Sequence, residues 1–323
     1  MKLIVSSPPH WHGKAAISKL YGNLFFALLP AAIFAILRYG LSAARVMALS
    51  ILTAVVSELF IRKLFGKSIP VSDGSAFYIG LLFALLLPPT VPFWMVILGT
   101  FLCVFVGREI FGGLGSNPLN PVLVGWAILK ISWPAYLDFN LVFAGYELDF
   151  TFRYPLSLLK KGGAGAVSEM NLLDLFLGNQ VGGLGAVFVV LLFVGGLYLV
   201  LRRIVAWQIP LFFLVGVLVT SAVFWLADRV TFANPIFHLV TGSVMIGAFF
   251  LATDYASAPF RKWGRVVFGL GCGVLTVILR VWSVYPDGVV FAILIMSLFA
   301  PLLDKIKRPP RALEIKYLAR RIP

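Results

Sequence analysis

The chain has 323 residues, 60% of them hydrophobic and only 12% charged, and its mean hydropathy is +0.97. Soluble domains carry roughly a quarter charged residues, and long apolar runs recur here from end to end, which excludes both a soluble globule and a single tail anchor. The net charge of +14 could mark a nucleic-acid partner. In a membrane chain it instead reflects Lys and Arg gathered on cytoplasmic loops, so the expected environment is a lipid bilayer and no nucleic acid.

In hydrocarbon the backbone must satisfy its own hydrogen bonds, so spans are helices or a closed barrel. Barrel strands alternate apolar and polar residues. Val187–Leu201 reads VFVVLLFVGGLYLVL with no alternation, and the fold class expected is an all-α integral membrane protein. With about 20 apolar residues per crossing, ten transmembrane helices are predicted: 20–37, 43–61, 74–88, 92–107, 119–135, 184–201, 206–226, 234–252, 263–280 and 287–303. The third and fifth are short and broken by Pro and Gly. The polar N-terminal segment 1–19 shows no cleavable leader, so the first helix is read as an uncleaved anchor.

With the N-terminus inside, nineteen of the 27 basic residues fall on the cytoplasmic side and six outside, with Lys130 and Arg280 within spans. That bias places both termini in the cytoplasm. It also puts the loop 136–183 outside and leaves 305–323 as a basic cytoplasmic tail. Cys103 and Cys272 sit in apolar helices without metal-ligand spacing, so they read as packing residues.

The halves 20–135 and 184–304 resemble each other. GLLFALLLPPTVPFWMVILGTFLCVFVGREI begins at Gly80, and GAFFLATDYASAPFRKWGRVVFGLGCGVLTVILRV begins at Gly247. Each has a Gly-Φ-Phe helix broken at Pro or Asp, then a helix with a glycine (Gly99, Gly269), a cysteine and an arginine (Arg108, Arg280). The prediction is two related five-helix halves with broken helices, an arrangement that places transporter ligand sites at the breaks.

Charges inside spans are expensive and usually functional. Glu58 pairs by its spacing with Arg62. Asp73 and Asp287 precede helices, where a carboxylate caps free amides. His238 reads as a hydrogen-bonded structural histidine. Asp254 and Arg280 fall at matching points of the repeat and are placed at the centre between halves. The sharpest local signal is FGGLGSNPLNP at 111–121, which cannot be continuous helix. Gly113 and Gly115 open its backbone. Asn117 and Asn120 carry amides that both donate and accept, suited to the edge of a flat heterocycle such as a flavin and equally to a structural turn. There is no Walker motif, dinucleotide fingerprint or hydrolase triad.

DGSAFYIGLLFALLLPPTVPFWM (73–95), FGGLGSNPLNPVLVG (111–125), HLVTGSVMIGAFFLATD (238–254) and YPDGVVFAILIM (285–296) together resemble the RnfD/NqrB family. These are membrane subunits of ion-translocating electron transport complexes. The resemblance spans roughly 5–308. It implies a membrane flavoprotein of a bacterial or archaeal cytoplasmic (inner) membrane. It also implies partner membrane, iron–sulfur and flavin subunits, and coupling of electron transfer between ferredoxin and NAD, or a quinone or cytochrome, to Na⁺ or H⁺ movement. It further implies riboflavin or FMN, held non-covalently, at Asn117 and Asn120. Family members carry FMN esterified to a threonine in the outer loop. The matching stretch here is ELDFTFRYPLSLLKKG (147–162), with Tyr154 at the threonine position. Covalent FMN is therefore expected to be absent. Thr151 is the neighbouring hydroxyl were the loop flavin retained, and an extracytoplasmic cytochrome is an alternative redox partner there. The rival readings are a stand-alone solute or ion transporter on the same repeat and a scaffold that has lost its cofactors.

Overall fold

A computed structural model describes residues 17–66, 73–142 and 154–305. These residues form helices and turns, with no strand among them. The first half contains α1 (Ile17–Tyr39), α2 (Leu41–Leu64), α3 (Ser75–Leu86), α4 (Phe93–Phe105) and α5 (Pro121–Ser132). The loop after α5 holds α6 (Pro155–Gly162) and α7 (Leu172–Leu177). The second half contains α8 (Val189–Leu201), α9 (Gln208–Ala227) and α10 (Pro235–Val240). Then come α11 (Val244–Ile246), a π-helical turn (Gly247–Leu251), α12 (Lys262–Trp282) and α13 (Val289–Lys305). Five helical stretches are long and apolar enough to cross a membrane, and α3, α5 and α8 are shorter apolar helices. The chain is a multi-pass membrane protein.

Helix starts follow local chemistry. The side chains of Asn120, Asn171 and Asn234 each accept the backbone N–H two residues on, and Pro121 and Pro235 occupy the first helical positions, where a missing N–H costs nothing. The predicted span 234–252 is not one helix. Thr241–Ser243 interrupt it, because Gly242 adopts φ +69° and the chain restarts at Val244. Gly74, before α3, takes the same left-handed turn at φ +75°.

The packing follows one scheme in both halves. In the first, α2 lies on α3 and α4, and α4 on α5; in the second, α9 lies on α10, the π turn and α12, and α12 on α13. Across the halves α1 meets α8 and α5 meets α13, so first helix pairs with first and fifth with fifth. Lipid-type surface surrounds this core: Leu37, Phe60, Leu226 and Leu298 are all exposed.

Helices α9 and α12 approach closely through small residues, as membrane helices do in place of a hydrophobic drive. A Cβ on Gly273 would collide with the Phe213 carbonyl oxygen and stand 2.7 Å from Val217 N. Gly273→Val is expected to cost about 3 kcal/mol by overpacking, measured as a lower unfolding temperature of the purified protein in detergent.

Candidate functional site

Polar groups concentrate at two places, one at each face of the bundle. On the face holding the starts of α3, α5 and α12, the broken FGGLGSNPLNP stretch meets the end of the π turn. Asn117 Nδ2 donates to Asp254 Oδ2 at 3.1 Å and to the Leu119 carbonyl at 2.9 Å. Asn120 Oδ1 caps α5 through Val122 N at 2.9 Å, while its Nδ2 donates to the Leu251 carbonyl at 2.9 Å. Asp254 also accepts from the Ser257 hydroxyl at 2.9 Å. Both asparagines are buried and both bind one half to the other. Gly113 and Gly115 have φ of +108° and +85°, and a Cβ on Gly115 would meet nothing within 4 Å, so the loop is open on that side.

Beside this junction lies a buried charge network. Glu58 pairs with Arg62 at 2.6 Å, as its spacing predicts, and with Arg108 at 2.8 Å. Glu109 approaches Arg108 at 3.1 Å and Arg62 at 3.7 Å. Arg108 Nη1 donates to Ser75 Oγ at 2.9 Å, and Ser75 donates through N and Oγ to Asp73, each at 2.8 Å. Asp73 thus caps the start of α3, as expected.

Arg280 lies elsewhere. A 21-residue helix rises roughly 30 Å; Asp254 precedes the start of α12 and Arg280 is close to its end. The expectation that Asp254 and Arg280 share one centre is therefore corrected: each belongs to a different face. Arg280 Nη1 donates to the His238 carbonyl at 2.7 Å, and Nη2 donates to the Thr241 carbonyl at 2.9 Å and to Asp287 Oδ1 at 3.1 Å. Asp287 does not cap α13. Its Oδ2 accepts from Ser243 N at 2.8 Å and from Ser243 Oγ at 2.5 Å. The helix break at Gly242 sets these carbonyls free, and Arg280 satisfies them. His238 is buried beneath the same break, and its Nδ1 has no hydrogen-bond partner among the described residues.

Next to Arg280 a cavity of about 350 Å³ opens between the end of α3, the end of α5 and the turn before α13. Its walls include Leu86, Trp126, Lys130, Tyr154, Tyr285 and Asp287. Sequence reasoning singled out Lys130 and Tyr154 without placing them together; their convergence depends on packing between the halves. Thr151 falls outside the described residues. Tyr154 is 3% exposed, its ring centroid lies 5.2 Å from that of Phe139, and its N–H donates to Asn140 Oδ1. Burial pushes its phenol well above the usual tyrosine range. At this position the chain places a buried phenol instead of a threonine hydroxyl.

A polytopic helical bundle with related packing in two halves and helices broken at both faces is an arrangement common among membrane transport proteins. The chain belongs to the NQR2, RnfD, RnfE family, whose model matches residues 4–312. It is 36% identical over 316 residues to the D-type subunit of the proton-translocating ferredoxin:NAD(+) oxidoreductase complex of Clostridium ljungdahlii, covering 94% of each chain. It is 37% identical over 310 residues to the Na(+)-translocating counterpart of Acetobacterium woodii, covering 95% of this chain and 94% of that one. It is also 36% identical over 330 residues to the D-type subunit of the ion-translocating oxidoreductase complex of Alcanivorax borkumensis, covering 96% of both.

Proposed function

We propose that this chain is the D-type membrane subunit of an Rnf-type complex, coupling electron transfer between ferredoxin and NAD, or a quinone or cytochrome, to movement of Na⁺ or H⁺. It works with other membrane, iron–sulfur and flavin subunits and is not catalytic alone. It lies in the cytoplasmic membrane of a prokaryote, with both termini, the Asn117–Asp254 junction and the Glu58–Arg108 network inside, and the loop of α6 and α7 outside. The two five-helix sets 20–135 and 184–304 are then an inverted repeat, because equivalent helices would cross in opposite directions. Relatives of nearly equal identity are named for protons and for Na⁺, so overall similarity does not set the ion.

The observation that carries the reading is the inter-half junction at the broken helices, where Asn117 and Asn120 reach Asp254 and Leu251. In this reading a riboflavin or FMN ring, bound non-covalently, meets this loop edge-on. Asn120 is spent on the α5 cap and the inter-half tie. Asn117 uses only its amide nitrogen in its two bonds, which leaves its carbonyl oxygen for a ring N–H approaching over Gly113 and Gly115. Asp254 holds the Asn117 amide in place. A flavin there would carry one or two electrons. The protein's part is to orient the ring and keep its edge hydrogen-bonded.

Acid extraction of the purified complex is expected to release non-covalent flavin, and Asn117→Ala to lower its retention about tenfold. Unchanged flavin content in that variant would remove the site. Ultraviolet in-gel fluorescence of the denatured subunits is expected to show no band at this chain's mass; a bright band would establish an ester on the outer loop. Purification as a colourless homo-oligomer, without iron–sulfur partners, would return the chain to the stand-alone transporters.

A further inference from the structure

The turn between α8 and α9 holds a backbone conformation that its sequence does not favour. α8 closes with the Arg203 N–H on the Val200 carbonyl and the Ile204 N–H on the Leu199 carbonyl, each at 2.9 Å. This closure puts the residue just past the helix end into the left-handed region, where glycine is usual because it has no Cβ to clash. After α2 that residue is Gly66, at φ +62°. After α8 it is Arg203, at φ +57°, the one residue other than glycine with positive φ among the described residues. A residue kept in such a conformation against its preference points to a use for its side chain. The Arg203 side chain is exposed and makes no hydrogen bond or ion pair among the described residues.

Other cations converge on the same corner. Arg202 is exposed, with its guanidinium 5.5 Å from the centroid of the Tyr198 ring. The Tyr255 hydroxyl donates to the Ile204 carbonyl, which ties the loop before α12 to this turn. Burial raises the Tyr255 phenol above its usual range and the Arg265 charge opposes the rise, so Arg265 lies within electrostatic reach of it. Arg265 donates through Nε to the Pro259 carbonyl at 3.0 Å, and its terminal nitrogens have no partner among the described residues. Lys262 is exposed one turn earlier, on the face of α12 that carries Gly269. That face meets the start of α9, for a Cβ on Gly269 would stand 2.6 Å from the Ile209 carbonyl oxygen. The nearby acids are engaged: Asp304 accepts from the Phe260 and Arg261 backbone N–H groups, each at 3.0 Å, and Asp254 is held by Asn117 and Ser257.

The surroundings are those of a membrane surface. Val194, Leu197 and Leu201, along one side of α8, are exposed, so the arginines follow directly on lipid-facing helix. Trp207 and Trp263 flank the corner, each more than half exposed, and exposed Trp at the ends of apolar helices sits at head-group depth. The anion at that depth is a phosphodiester, which guanidinium groups hold through paired N–H bonds; basic pockets between helix ends are how membrane proteins hold anionic head groups. We propose that the corner of Arg202, Arg203, Lys262 and Arg265 binds the phosphate head group of an anionic phospholipid, whose acyl chains lie along Val194, Leu197 and Leu201. This corner shares no residue with the Asn117 junction, so it stands whether or not a flavin binds there.

The test uses the intact complex, delipidated in mild detergent and labelled with photoactivatable phosphatidylglycerol, with adducts mapped by mass spectrometry. Adducts are expected in the segments 198–207 and 262–266. Excess unlabelled phosphatidylglycerol should suppress them, whereas phosphatidylcholine or inorganic phosphate at the same concentration should leave them unchanged. Arg203→Gly should lower labelling about fivefold, the effect of one basic residue at a charged membrane surface. Its unfolding temperature without added lipid should equal or exceed the parent's, because glycine takes the turn freely. That combination separates a residue kept for a ligand from one kept for the fold. Lys262→Gln reads a second cation without touching the turn and should also lower labelling. Adducts missing from both segments, suppression by phosphatidylcholine or by inorganic phosphate, or unchanged labelling of Arg203→Gly would each overturn the proposal. So would a lower unfolding temperature of Arg203→Gly in the lipid-free state, since the arginine would then serve the turn itself.

Discussion

Arg280→Leu is expected to destabilise the protein by about 3–5 kcal/mol, the range for removing one partner of a buried ion pair. The guanidinium serves the His238 and Thr241 carbonyls and Asp287 at once. Without it the break at Gly242 leaves two carbonyls without a donor, and Asp287 keeps only Ser243. Arg280→Lys should recover a minor part, because an ammonium on a flexible stem cannot span carbonyls on one side and a carboxylate on the other as a planar fork does. Combining Arg280→Leu with Asp287→Leu should recover more, since a buried pair replaced by apolar residues is often close to neutral. Recovery remains incomplete because Ser243 loses its acceptor. Thermal unfolding in detergent reads all three variants. Equal unfolding temperatures for Arg280→Leu and the parent would show that the break does not depend on Arg280.

The apolar helices were legible because uninterrupted apolar length is a local property, although five of them are long enough to cross a membrane where ten crossings were expected, and the Glu58–Arg62 pair was legible because four residues make one helical turn. The break at Thr241–Ser243 was not, because HLVTGSVMIGAFFL carries no proline or charge within its apolar run; Gly242 was its one signal, matched by Gly74 of DGS in the first half. Asp287 was misassigned for the same reason: position before a helix suggests a cap, and its actual partners, Ser243 and Arg280, come from other elements. The asparagines were found, but their bonds to Leu251 and Asp254 cross more than a hundred residues and follow only from the packing of the halves. The cavity depends on the same packing. Tyr154 was read as a lost ester site from its place in ELDFTFRYPLSLLKKG; its burial in a wall with Trp126 and Lys130 had no sequence signature.

Glu58→Ala should be as costly as any single change on the opposite face, about 3–5 kcal/mol. Its carboxylate stands between Arg62 and Arg108, at 2.6 and 2.8 Å, with side-chain exposures of 8% and 1% for the arginines and 2% for Glu58 itself. Removing it leaves two buried cations to share Glu109. Glu58→Gln should cost less, because an amide oxygen still accepts from one guanidinium. The network is sheltered from solvent, so its contribution should change little between low and high salt, unlike that of exposed ion pairs. A loss that shrank at high ionic strength would indicate that water enters this face. The distinction matters for the mechanism. A salt-insensitive Glu58–Arg108 network keeps the end of α2, the start of α3 and the end of α4 joined beside the Asn117–Asp254 junction, while the other face keeps an open cavity.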